Sequence, residues 1–161
     1  MRGTMDRFGA SYPGVMLVLR VVAGLAMAYH GLQKFQGGIS NFAGFVDQLG
    51  FPAASVLAWI VALLELVGGL MIAVGLLARV AGGLLALEML ITGIYVKLLE
   101  LGTGIIGPSD QPGVGAELDF LYLVAFAAVA LLGPGPYSLD AAMGREPRGT
   151  PAAAPVQRQA A

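Results

Sequence analysis

The chain has 161 residues, 57% of them hydrophobic and 12% charged, with a formal net charge of −1 and a mean hydropathy of +0.79. Soluble domains carry about a quarter charged residues, so this composition excludes an ordinary water-soluble fold and leaves room for four apolar spans in one membrane domain. The charge balance excludes nucleic acid, which needs a basic patch.

With no cysteine and one histidine, the chain supplies no disulfide, thiol chemistry, iron–sulfur thiolates, zinc thiolates or bis-histidine haem. A haem held by His30 with a methionine such as Met27 gets no support from their spacing. No metal, and no redox centre of the chain's own, is expected.

Arg2 and Arg7 ahead of an apolar run, with Ala26-Met27-Ala28 beyond, resemble a signal peptide. Arg20 interrupts the run, however, and the hydrophobic stretch continues past the supposed cut. It is read as an uncleaved first span, about 14–35, after an N-terminal arm of residues 1–13. Pro13 stands where a helix start tolerates proline.

In "NFAGFVDQLGFP", Phe42, Phe45, Val46 and Leu49 repeat at helical spacing, with Asp47 and Gln48 on the other side. This predicts a short amphipathic helix in the membrane interface. Phe42, Phe45 and Phe51 read there as membrane anchors rather than as a binding box.

Pro52 restarts the chain into a second span, about 53–77. Only "AR" separates it from a third, about 80–101, so the two form an antiparallel hairpin. Residues 102–116, rich in Gly and Pro, read as a loop. A fourth span, about 117–133, opens with Glu117 and Asp119, where a helix N-terminus favours acids. It stops at "GPGPYSLD", with Ser138 placed to cap a last short turn. The membrane domain thus covers 14–141, and the tail 142–161 is expected to be disordered. The fold class is all-α: a four-transmembrane-helix bundle with an interfacial helix between spans one and two.

Basic residues set the orientation. Arg2, Arg7, Arg79, Arg145, Arg148 and Arg158 share the side of both termini, opposite Lys34, Lys97, Glu100, Asp110, Glu117 and Asp119. A multi-pass plasma-membrane protein with cytoplasmic termini is expected.

A charge inside a span costs about 2.5–3.5 kcal/mol or more, so Arg20, Glu65 and Glu88 need reasons. At about 100° per residue, Arg20, His30 and Lys34 share a face with Gly24, Met27 and Gly31. Glu65 shares one with Gly68, Gly69 and Gly75, where helices can approach closely. Lys97 points away and is expected to snorkel outward. At about 1.5 Å per residue, Arg20 and Glu88 fall roughly 9 and 12 Å in, and Glu65 and His30 roughly 18 and 24 Å. The expectation is a structural ion pair, Arg20–Glu88, below an outer polar pocket of His30, Lys34 and Glu65 suited to a polar headgroup. The competing reading is that these groups only satisfy one another.

Arg20 and Gly24, His30-Gly31-x-x-Lys34, Gly50-Phe51-Pro52, Glu65-x-x-Gly68-Gly69, Gly75 to Arg79, Glu117-Leu118 and Gly133-x-Gly135-x-x-Ser138-Leu139-Asp140 follow one another in order. Together they resemble the DoxX family of small four-helix membrane proteins, over roughly 17–140. The resemblance implies a membrane subunit of a quinone-linked oxidoreductase, such as thiosulfate:quinone oxidoreductase. Other members assemble with sulfurtransferase and superoxide-detoxifying enzymes.

On that basis a quinone is the expected cofactor, held by His30, Lys34 and Glu65, with Glu65 and His30 the catalytic pair. Glu65 would exchange protons. The expected partners are the bilayer and redox subunits of the membrane. The alternative is a non-catalytic accessory or anchoring subunit. A small transporter or lipid-handling protein fits least, since no inverted repeat or broken helix is evident.

Overall fold

In lipid a backbone must satisfy its own hydrogen bonds, so strongly apolar stretches fold as helices. The computed structural model describes residues 2–108, 110 and 115–146, with side chains from residue 13 onward. Helix α1 is Arg2–Gln36, α2 is Ile39–Gln48, α3 is Ala54–Val74, α4 is Ala78–Glu100, α5 is Glu117–Leu132 and α6 is Leu139–Ala142. The last stretch of α4, Thr92–Glu100, and one turn of α3, Leu64–Gly68, are wound as π-helix. Among the described residues there is no strand.

The first apolar span, Pro13–Gln36, lies where the sequence puts it, and helix α1 continues ahead of it. It runs from Arg2 straight through Pro13, whose missing N–H costs one rung of a long ladder rather than ending it. The tail predicted to be disordered lies outside the described residues from 147 on.

Three helices are long and apolar enough to cross a membrane: Pro13–Gln36 with 24 residues, Ala54–Val74 with 21 and Ala78–Glu100 with 23. Helix α5 is apolar but has 16 residues, fewer than the usual span of about 20. The core joins Met16 and Met27 of α1, Ile72 of α3, Leu85 and Met89 of α4, and Phe126 and Val129 of α5. Outward faces are equally greasy: Val18, Val22 and Leu25 on α1 and Val80, Leu84 and Leu87 on α4 are exposed. A bundle apolar inside and out has lipid as its solvent.

Helices α1 and α3 cross backbone to backbone. A Cβ on Gly24 would lie 2.6 Å from the Gly69 carbonyl oxygen and 2.7 Å from Ala73 N. One on Gly69 would lie 2.5 Å from Ala28 N. Small residues at such crossings let dispersion do what hydrophobicity cannot do in lipid. Because backbone rather than a flexible side chain stands in the way, Gly69→Ala is expected to destabilise by about 1–3 kcal/mol. Unfolding in mixed detergent checks this.

The α3–α4 turn is stitched to the C-terminal segment. Gly75 ends α3 with φ 73°, a conformation that suits glycine, and its carbonyl accepts from Asp140 N at 2.9 Å. Leu77, with φ 45°, is strained by roughly 1–2 kcal/mol. The Asp140 carboxylate holds it there, accepting from Leu77 N at 3.0 Å and Ala78 N at 2.9 Å and so capping α4 from a distant part of the chain. Ser138 caps α6 as predicted, its Oγ accepting from Ala141 N at 3.1 Å.

Two arginines serve the opposite helix poles. Arg79 donates to the carbonyls of Ala130 and Leu131, at 3.0 and 2.8 Å, at the end of α5. Arg20, 2% exposed, donates to the carbonyls of Ala73 and Tyr137 and, at 3.4 Å, to that of Ile72. Asp140→Ala is expected to cost about 1–2 kcal/mol, read from the same unfolding curves.

Candidate functional site

The expected Arg20–Glu88 ion pair is not formed. Arg20 lies level with Ala73, at the C-terminal end of α3, where unpaired carbonyls attract a guanidinium. Glu88 is ten residues into α4, about 15 Å along its axis from that end. The sequence estimate took Gly14 as the boundary of the first helix. Counting along one helix from its own start did not give the level of Arg20 against its neighbours, where it meets the end of α3 at Ala73.

Glu88 turns instead toward Glu65. Glu65 sits in the π-turn of α3, an element often found at functional sites, and is 5% exposed. The Lys34 ammonium forms an ion pair with Glu65 Oε2, and the Glu88 carboxyl lies within electrostatic reach of Glu65. Glu88 Oε2 is buried and has no partner among the described residues. The Thr92 hydroxyl beside it donates to the Glu88 backbone carbonyl at 3.0 Å.

These groups form the polar end of a cavity of about 410 Å³. Its walls are Leu57, Val61 and Leu64 of α3, Leu84, Leu87 and Ile91 of α4, and a lid from α2 and its C-terminal loop. The lid supplies Phe42, Phe45 and Phe51, so the residues read as membrane anchors also line the cavity. Helix α2 folds back on α3 and turns its aromatic face inward. The Lys34 ammonium lies 5.0 Å from the centre of the Phe42 ring, within cation–π range.

Of the predicted site residues, Lys34 and Glu65 meet at the cavity and His30 does not line it. The His30 ring faces α5 and meets Tyr122 edge-on, with centroids 6.1 Å apart and planes at 88°. Asp119, buried on the same helix as Tyr122, lies within electrostatic reach of His30 and Lys97. Lys97 is half-buried, and its ammonium donates to the Gly115 carbonyl at 3.4 Å. Glu88 and the three phenylalanines are the functional candidates that sequence reasoning assigned elsewhere. The helical spacing of Phe42, Phe45 and Leu49 marked a face but not what would cover it. Among the described residues, no group of His, Asp and Glu is arranged to hold a metal.

Among the described residues the chain is all-helical, with lipid-facing outer surfaces, a partly buried Lys–Glu–Glu cluster and an aromatic-walled cavity, which defines a membrane protein. Its sequence matches the DoxX family profile over residues 15–98, and the chain belongs to the DoxX family. It is 36% identical over 125 residues to the "Putative oxidoreductase CatD" of Bacillus subtilis (strain 168), covering 77% of this chain and 83% of that protein. It is 31% identical over 134 residues to the "Uncharacterized membrane protein Rv3486" of Mycobacterium tuberculosis (strain ATCC 25618 / H37Rv), covering 81% of this chain and 82% of that one. No solved structure matches it.

Proposed function

We propose that this protein is a membrane subunit of a quinone-linked oxidoreductase and that the cavity between α2, α3 and α4 is its quinone headgroup site. The observation that carries the reading is the Lys34–Glu65–Glu88 cluster at one end of an otherwise apolar, aromatic-walled cavity. The name of the Bacillus relative supports an oxidoreductase role.

The residues fit the group. A quinone carbonyl accepts hydrogen bonds, and the Lys34 ammonium is a strong donor held in place by Glu65. Flat rings such as Phe42, Phe45 and Phe51 suit a planar headgroup. When bound, a quinone supplies an acceptor for electrons delivered by a partner protein, and its reduction consumes protons. Glu65 and Glu88 hold a proton at the cavity end and release it there. Lys34 orients the headgroup and compensates the carboxylate that remains. His30, on the α5 side with Tyr122 and Asp119, serves the reprotonation of Glu65 rather than the headgroup.

In this reading α5 is the fourth span and α2 lies in the membrane interface. The arginine-rich end with Arg20 and Arg79 faces the cytoplasm, with both termini, in the plasma membrane.

The second reading is an accessory or anchoring subunit in which the polar groups only neutralise one another. The Lys34–Glu65 pair favours it. Against it, the small faces that would dock a larger partner are used within the chain, Gly24 on Gly69 and Ala73, and Gly31 on Ala62 and Leu66. The distinguishing experiment is quinone turnover by the chain together with its copurified partner. Turnover lost on Lys34→Met supports the headgroup site; turnover retained supports the accessory role.

A further inference from the structure

The cavity has a mouth, and the residues around it face lipid. Leu84, Leu87 and Ile91 of α4 and Phe45 of α2 line the cavity and are also exposed on the outer surface, Leu87 by 54%. A side chain that does both marks an opening. Leu84 and Ile91 lie about 9 and 20 Å along α4 from its first residue, so the opening sits within a hydrocarbon layer about 30 Å thick. Beyond Ile91, α4 is tied to the α2 loop: the Tyr95 hydroxyl donates to the Leu49 carbonyl at 3.4 Å, and the Tyr95 ring packs on Phe51 with centroids 5.1 Å apart. Lys34, Glu65 and Glu88 lie inward of the mouth.

A solute arriving from water would have to cross hydrocarbon to reach that mouth, against the cost of desolvating its polar groups. An amphiphile already dissolved in the bilayer meets no such barrier. We propose that the site is filled sideways from the bilayer, through the gap between α2 and α4. The polar head of the ligand reaches Lys34 and Glu65, and its aliphatic tail stays along Leu84 and Leu87, which set the preference for tail length. The proposal takes the headgroup assignment from the preceding reading, whereas the access route stands on the mouth alone.

The chain has no native cysteine, so a Val61→Cys variant carries a single nitroxide label on the back wall of the cavity. In phosphatidylcholine nanodiscs, oxygen, which concentrates in hydrocarbon, is expected to relax the label more than a water-soluble nickel chelate does. A label relaxed more by nickel, or by neither reagent, overturns lateral access; the same measurement on Leu57→Cys guards against a local distortion.

The tail assignment is read by binding a decyl-tailed benzoquinone and its tail-less parent. Leu87→Trp is expected to weaken the tailed compound about tenfold, the equivalent of roughly two buried methylenes, and to leave the parent unchanged. Equal effects on the two overturn the tail groove. Failure of the unaltered protein to bind either compound overturns the quinone reading, while the label still decides the route.

Discussion

Glu65→Gln is expected to lower quinone turnover at least about 100-fold, the usual contribution of a positioned proton-transfer group, with thermal unfolding unchanged. The substitution is close to isosteric. The amide oxygen still accepts from Lys34, and the amide N–H groups can donate to Glu88, so the contacts that hold α1, α3 and α4 together at this level survive. What is lost is the capacity to take and give a proton. If turnover is unchanged, Glu65 is a packing group and the accessory reading gains. A loss of turnover accompanied by unfolding would also contradict the account, because it makes the carboxylate itself the structural element.

Arg20→Met is expected to have the largest effect on stability, about 3–5 kcal/mol. Its guanidinium donates to the carbonyls of Ile72, Ala73 and Tyr137 while almost wholly buried. Each bond to a charged group contributes roughly 1.5–3 kcal/mol, and removal strands the carbonyls it now satisfies. The loss falls on three elements at once: the face of α1, the end of α3 and the turn that leads to α6. A double-mutant cycle with Glu88→Gln separates this account from a buried ion pair. The two groups share no contact, so their coupling is expected below about 0.5 kcal/mol. A coupling of several kcal/mol would restore the pair that the sequence suggested.

The helices were legible in the sequence because each has a strong local cause. The apolar lengths of α1, α3 and α4 need no tertiary information, and the spacing of Phe42, Phe45, Val46 and Leu49 places α2 at Ile39–Gln48. The cap of α6 at Ser138 follows from the residue type.

Partner choice was not legible. Depth counted along one helix does not fix its level against another, and Arg20 meets the end of α3 at Ala73 rather than Glu88. Rotation by about 100° per residue puts His30 and Lys34 on one broad face, yet that face is wide enough to meet two neighbours. Lys34 goes to α3 and His30 to α5. The π-turn at Glu65 shifts the register of α3 in a way no periodicity reveals. That the phenylalanines line a cavity was not legible either, because an aromatic face on a short helix looks the same whether lipid or a cavity covers it.

The charges divide into two sets by what they touch. Arg20, Arg79 and Asp140, at one bundle end, are all occupied in capping helix termini. Lys34, Glu65 and Glu88, deeper in the bundle, leave a buried oxygen without a partner among the described residues. The proposed function draws on the second set, and stability on the first.

The most direct test is to quantify quinone retained by the purified protein in lipid nanodiscs, for the unaltered chain and for Lys34→Met. The account predicts quinone near one per chain, reduced in the variant to the level found in protein-free discs. Quinone at the protein-free level in the unaltered chain, or equal retention by the variant, would contradict it.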